Sequence, residues 1–98
     1  MVIEKPAMAG TLESSDIQVM VEPAKEGIAL ELESSVMAQF GDQIRDTILE
    51  VLKKMDVDGV KISAHDQGAL ECTIRSRVQT AVLRAGNVTE NLPWGTVL

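Results

Sequence analysis

The 98-residue sequence has almost no aromatic side chains: one Phe, one Trp and no Tyr. Binding of nucleic acid needs basic groups to neutralise phosphates, and platforms that stack its bases need aromatic rings. Here fifteen acidic residues outnumber nine basic ones, and the formal net charge is -6. The composition therefore argues against nucleic acid as a partner. Because 45% of the residues are hydrophobic, we expect a folded chain with an aliphatic core.

Residues that carry catalysis or bind metals are equally scarce. Cys72 is the only cysteine and His65 the only histidine, so the chain has no disulfide framework and no Cys/His metal-ligand set. No spacing joins His65 to a serine or to Cys72 as a base and nucleophile pair. Cys72 falls within an apolar stripe, which predicts a small buried side chain. We expect no catalytic residues and no metal site.

Long apolar runs are absent too. No stretch could span a membrane, and the first residues lack the charged and apolar regions of a signal peptide. We therefore expect a cytoplasmic protein with no membrane partner. The length predicts one domain over residues 1–98, in which residues 88–98 form a tail.

Alternating apolar residues predict a β-hairpin at the start of the chain. Residues 7–12 alternate weakly and residues 16–22 more clearly. Between them, Glu13-Ser14-Ser15-Asp16 favours a turn, because these short side chains can hydrogen-bond the local backbone. The pattern therefore places Ser14 at the tip of the hairpin. The two carboxylates could also share a cation with a phosphorylated group, although turn formation is their commoner role.

The rest of the chain predicts two more strands and two helices. Residues 28–33 and 60–64 alternate as strands, and His65 to Gly68 is predicted to be a turn. Residues 36–55 carry a helical apolar stripe, with Ser34 or Ser35 as its N-cap. Residues 69–76 also fit a strand, but the helical pattern over 69–85 is longer and ends at Gly86, which favours a helix.

These elements follow the order βββαβα. The arrangement predicts a small single-domain α+β fold, with a mixed or antiparallel sheet and two helices on one face. The helix between the third and fourth strands forms a crossover connection, so some strand pairing is expected to be parallel.

Several segments resemble one known family. Ala9-Gly10-Thr11-Leu12-Glu13-Ser14-Ser15-Asp16 resembles the prosthetic-group site of the citrate lyase acyl carrier protein family, the gamma subunits of that complex. Further segments resemble the same family in chain order: Gln39 to Arg45, Asp66 to Cys72, Arg75 to Arg77 and Leu92-Pro93-Trp94. The carrier subunit of malonate decarboxylase is similar in the hairpin and in the turn that begins at Asp66.

The resemblance implies a non-catalytic acyl carrier. It implies that Ser14 is joined by a phosphodiester to 2'-(5''-phosphoribosyl)-3'-dephospho-CoA, whose terminal thiol carries acetyl and citryl groups as thioesters. The implied partners are the alpha (transferase) and beta (citryl lyase) subunits, which cleave citrate to acetate and oxaloacetate. A holo-carrier synthase and an acetate ligase are implied as transient partners.

Some alternatives stay open. Several members of the family have Gly where this chain has Ser15. Two adjacent hydroxyls make the attachment point ambiguous; Ser14 fits the family's register, and Ser15 is the fallback. Glu13 and Asp16 flank the site and are expected to meet basic partner surfaces. A carrier subunit of malonate decarboxylase and a non-covalent adaptor domain are the alternative functions.

Overall fold

The computed structural model describes residues 2–86, so the predicted tail at residues 88–98 lies outside the described part of the chain. The element order βββαβα is confirmed. The elements are β1 Ala7–Ala9, β2 Ile17–Pro23, β3 Ile28–Ser34, α1 Met37–Lys54, β4 Val60–Asp66 and α2 Glu71–Ala85.

The four strands form one mixed sheet in the order β1-β2-β4-β3. Strand β2 is antiparallel to both β1 and β4, and β3 is parallel to β4. The parallel pair arises because α1 carries the chain back along the sheet between β3 and β4. The predicted α+β class, the mixed sheet and the hairpin at residues 7–22 are therefore confirmed.

Both helices cover the same face of the sheet. Side chains from β2 and β4 alternate between buried and accessible positions, and the buried set packs beneath α1 and α2. The largest fully buried apolar side chains of this core are Ile17, Ile48, Leu52, Ile62, Val19, Val51, Val60, Val78 and Val82. Such an aliphatic core is what a chain with few aromatics can build. Within residues 2–86, neither helix is long and apolar enough to cross a membrane.

Two local expectations are wrong. His65 lies within β4 and not in a turn, because it pairs with Gln18 on one side and Glu33 on the other. The N-cap of α1 is Val36, which makes no side-chain cap, rather than Ser34 or Ser35. The Ser34 hydroxyl instead accepts the Val36 N–H at 3.1 Å.

The register brings several connections to one end of the sheet. Ile17 at the start of β2 and Ser34 at the end of β3 both pair with Asp66 at the end of β4. The hairpin loop at residues 10–16, the start of α1 and the start of α2 therefore lie at the same end of the molecule. This end is called the tip below.

Candidate functional site

The hairpin loop leaves β1 at a glycine that no other residue can replace without rearrangement. Gly10 has φ +85°, and a Cβ at this position would lie 1.8 Å from the Ile17 carbonyl oxygen. The chain crosses closely over the start of β2 and then forms a turn in which the Asp16 N–H donates to the Glu13 carbonyl at 3.2 Å. Ser14 and Ser15 occupy the two central positions of this turn, and both are exposed.

The two serines differ in backbone conformation. Ser15 has φ +64°, in the left-handed region that favours glycine. Its N–H donates to the Gln67 carbonyl oxygen at 2.8 Å, so the backbone of the loop is held against the β4–α2 connection. Glycine would adopt this conformation of residue 15 without the steric cost that a side chain carries.

Asp16 holds the loop from inside. Its carboxylate accepts the Thr11 hydroxyl at 2.7 Å, the Thr11 N–H at 3.1 Å and its neighbour Ile17 N–H at 2.7 Å. The Arg77 guanidinium of α2 adds two further bonds, from Nε at 3.1 Å and from Nη2 at 3.2 Å. With 13% of its side chain exposed, Asp16 ties both ends of the loop to a helix that lies 61 residues further along the chain.

These contacts change the titration of Asp16. The hydrogen bond from the Thr11 hydroxyl lowers the pKa of this carboxyl from 3.8 to about 2, with further lowering from the Ile17 N–H and Arg77, while burial opposes the shift. The carboxylate is therefore charged at every physiological pH. Its negative charge is directed at partners within the protein, the Thr11 hydroxyl and the Arg77 guanidinium.

A second carboxylate organises the connection between β4 and α2. Asp66, at 1% exposure, accepts the Ser34 hydroxyl at 2.7 Å, the Gly68 N–H at 3.1 Å and the Ala69 N–H at 3.0 Å. The Gln67 N–H donates to the Asp16 carbonyl at 2.8 Å, next to the bond between Ser15 and Gln67. The two loops therefore form one hydrogen-bonded unit at the tip.

An open groove of about 300 Å³ lies beside this unit, between the start of α1 and the start of α2. Phe40 and Leu70 at its rim are 47% and 70% exposed. Gln43, Thr47 and Glu71 are its polar side chains. The apolar lining residues are Val36, Phe40, Ile44, Ala69, Leu70 and Ile74.

The structure brings together all four residues that the sequence placed at the site. Ser14, Ser15 and Glu13 are exposed on the loop, whereas the carboxylate of Asp16 points into the loop and is already bonded. The sequence analysis missed Asp66 and the partnership of Arg77 with Asp16. The only signal for Arg77 was the resemblance at residues 75–77, which assigned it no role.

The prediction that Cys72 is buried is wrong, because its side chain is exposed in the first turn of α2. On a helix, Cys72 lies two positions from the buried Ile74 and so turns away from the core. The contact of His65 is with a carboxylate: its Nδ1 lies 3.3 Å from Glu33 on the neighbouring strand. Within residues 2–86, no group of three His, Cys, Asp or Glu side chains could hold a metal ion.

Comparison with solved structures shows the same fold in another protein. The chain aligns with a chain from the crystal structure of a Pseudomonas malonate decarboxylase hetero-tetramer in complex with malonate. The TM-score is 0.72 at 21% sequence identity, and the alignment covers 88% of this chain and 93% of that one. At this identity the likeness concerns the fold alone.

Sequence comparison gives much closer relatives. The family model described as malonate decarboxylase delta subunit (MdcD) matches residues 4–85. The citrate lyase acyl carrier protein of Lacticaseibacillus casei is 52% identical over 87 residues, which cover 89% of this chain and 86% of that protein. That of Vibrio cholerae is 50% identical, and the alignment covers 96% of this chain and 96% of that protein. That of Escherichia fergusonii is also 50% identical, and the alignment covers 99% of this chain and 100% of that protein. The chain belongs to the family of citrate lyase acyl carrier proteins.

Proposed function

We propose that the chain is the acyl carrier subunit of a cytoplasmic citrate lyase and that its prosthetic group is attached through a phosphodiester to the Ser14 hydroxyl. Membership of the family supports the carrier role. The observation that carries the attachment site is an exposed serine on a turn whose backbone is fixed on both sides. The group, 2'-(5''-phosphoribosyl)-3'-dephospho-CoA, would supply a terminal thiol that holds acyl groups as thioesters.

The tip suits a covalent anchor because it is both exposed and rigid. The Ser14 side chain is accessible to a modifying enzyme, and the turn around it is fixed by Asp16, Arg77 and the backbone bonds to Gln67. A fixed anchor limits the volume that a tethered acyl group explores, which raises its effective concentration at a docked active site. The chain thus needs no catalytic groups of its own.

The backbone supports Ser14 over Ser15 as the anchor. Ser15 has a left-handed conformation and donates a backbone hydrogen bond to Gln67, so the structure requires a particular backbone conformation at this position and not a hydroxyl group. Ser14 makes no comparable demand on conformation. The exposed hydroxyl of Ser14 is therefore the group that we assign to covalent attachment.

The proposed partners are the alpha (transferase) and beta (citryl lyase) subunits, with a holo-carrier synthase and an acetate ligase as transient partners. Glu13 is the exposed carboxylate beside the anchor and is suited to meet a basic partner surface. Asp16 was expected to share this task, but its carboxylate is bonded to Thr11 and Arg77. We therefore assign partner docking to Glu13 and loop positioning to Asp16. Glu13→Lys should slow modification or turnover, and unchanged rates of both would contradict the docking role.

A carrier subunit of malonate decarboxylase is the second candidate. The description of the family model favours it, whereas relatives at 50% identity favour citrate lyase. The two candidate functions predict different acyl groups on the same type of prosthetic group. Adding the modified chain to carrier-depleted preparations of each complex distinguishes them, because only the cognate complex should regain turnover.

The attachment site is tested by mass spectrometry on chain isolated from its native complex. We expect a covalent adduct of the mass of the phosphoribosyl dephospho-CoA group on the peptide that contains Ser14. Ser14→Ala should remove the adduct and abolish turnover while leaving the fold intact. Ser15→Gly is the matched control, because it removes the neighbouring hydroxyl but suits the left-handed backbone.

Three results would overturn this assignment. An unmodified chain from an active native complex, or full turnover by a Ser14→Ala chain that carries no adduct, would favour the non-covalent adaptor. Loss of the adduct in Ser15→Gly with retention in Ser14→Ala would move the anchor to Ser15.

A further inference from the structure

The apolar groove between α1 and α2 lies within reach of a group attached to Ser14. The bond from the Ser15 N–H to the Gln67 carbonyl joins the turn to the residue before Gly68, where the wall of the groove begins. Standard bond lengths along this path place the Ser14 and Gly68 Cα atoms no more than about 10 Å apart. A phosphoribosyl nucleotide with a pantetheine chain is longer than this distance.

The chemistry of the groove selects among the parts of such an arm. Its walls are mainly aliphatic, and Phe40 adds one aromatic ring. Among the described residues that line it, Glu71 carries the only charge and none is basic. Phosphates would meet no cation there and one carboxylate, so their entry is disfavoured. An uncharged chain that combines methyl groups with amides suits apolar walls flanked by the Gln43 amide.

We propose that this groove binds the uncharged, thiol-ended pantetheine segment of the arm carried on Ser14, while the phosphates of the arm stay outside it. The proposal rests on the proposed function. The volume of about 300 Å³ lies at the lower end of the range for small-molecule pockets, which suits one segment of the arm rather than the whole group.

A bound arm would be protected between visits to partner enzymes. Residues such as Ile44 and Ile74 are buried at the base of the groove and exclude water from its floor. A thioester held against them is less accessible to hydroxide and to foreign thiols. The groove is open to solvent along the tip, so a docked partner can withdraw the arm without unfolding the carrier.

The experiment is an isotope-filtered nuclear Overhauser measurement on the full chain. The protein is labelled with carbon-13, the arm is unlabelled, and intact mass confirms the adduct on Ser14 beforehand. We expect contacts from the arm to the methyl groups of Ile44 and Ile74 and to the ring of Phe40. Met8 and Met20, exposed at a depression of about 290 Å³ elsewhere on the molecule, are the internal control and should show none.

Two matched variants test the wall of the groove. Leu70→Ser removes an exposed apolar side chain at the N-cap of α2, where serine is a better cap, so the helix should be retained. It should weaken the contacts to Phe40 and speed alkylation of the arm's thiol about fivefold. Leu12→Ser makes the same change at a 57% exposed leucine in the hairpin loop, outside the groove, and should do neither. Alkylation is scored on the Ser14 peptide, so that exposed Cys72 does not contribute.

The outcomes separate this inference from the proposed function. An adduct on Ser14 without contacts to the groove, or equal alkylation rates in the two leucine variants, would overturn the groove proposal and leave the carrier intact. Absence of an adduct from the active native complex would overturn both.

Discussion

The two loops at the tip are built alike but are anchored differently. The hairpin loop at residues 10–16 and the connection at residues 66–70 each contain a left-handed glycine and an aspartate that accepts backbone N–H groups. Asp16 also pairs with Arg77 and keeps 13% of its side chain exposed. Asp66 is 1% exposed, and its three side-chain bonds come from uncharged donors.

The difference in burial and bonding gives the two carboxylates different roles: Asp66 stabilises the fold, and Asp16 holds the serine turn in place. The buried Asp66 carboxylate joins the end of β3, at Ser34, to the connection that precedes α2, at Gly68 and Ala69. Asp16 links the serine turn to α2 through a pair that water can partly replace. We therefore expect loss of the Asp16 carboxylate to destabilise the fold less than loss of the Asp66 carboxylate.

The largest expected effect comes from the two glycines, which share φ +85°. Gly10→Ala would place a Cβ 1.8 Å from the Ile17 carbonyl oxygen, whereas Gly68→Ala meets nothing within 4 Å. We expect Gly10→Ala to lower the free energy of unfolding by about 4 kcal/mol or more, and Gly68→Ala by about 1 kcal/mol. Urea unfolding measures both, and equal losses would show that the close approach of the loop to β2 is not essential.

The aspartates come next. Asp66→Ala leaves the Ser34 hydroxyl and the Gly68 and Ala69 N–H groups without their acceptor in a buried site, and we expect a loss of about 2–4 kcal/mol. Asp16→Ala exposes its donors to solvent, which can replace part of the bonding, so we expect about 1–2 kcal/mol. Thermal unfolding of the two variants compares them directly. A larger loss of stability for Asp16→Ala than for Asp66→Ala would contradict these roles and show that Asp16 contributes more to the stability of the fold.

Much of this arrangement could be predicted from the sequence, because it follows local periodicity. Alternation placed the hairpin and β4, and the longer helical pattern correctly decided residues 69–85 in favour of a helix that begins at Glu71. The wrong prediction that Cys72 is buried comes from the strand pattern over the same residues. Alternation at 70, 72 and 74 aligns Cys72 with Ile74, whereas helical spacing places it on the exposed side.

The contacts between the loops could not be predicted in this way. Arg77 and Asp16 are separated by 61 residues, and Ser34 and Asp66 by 32, so no local pattern encodes either pair. Asp66 looked like an ordinary turn residue because its burial depends on β3 and β2 pairing on both sides of β4. The serine itself was found through its turn and through the family resemblance.

A smaller effect should separate the charge of Arg77 from its geometry. Arg77→Lys keeps the charge but loses the fork that bonds both oxygens of Asp16. A double-mutant cycle with Asp16→Ala and Arg77→Ala should give a coupling of about 1 kcal/mol, limited because Arg77 is 40% exposed. We expect Arg77→Lys to retain less than half of it. Full retention by lysine would show that only the charge matters.

The smallest effect concerns acid. The pKa of Asp16 is about 2 in the folded chain, below its ordinary value of 3.8, so its ionised form stabilises the fold fully above about pH 4. That contribution is lost as the pH falls from 4 towards 2, because the carboxyl is then protonated in the folded chain as well. Asp16→Asn lacks this titration, so the difference in the free energy of unfolding between wild type and variant should shrink over that interval. A difference that stays constant from pH 5 to 2 would mean that the loop holds Asp16 through its shape, and that the charge shared with Arg77 adds nothing.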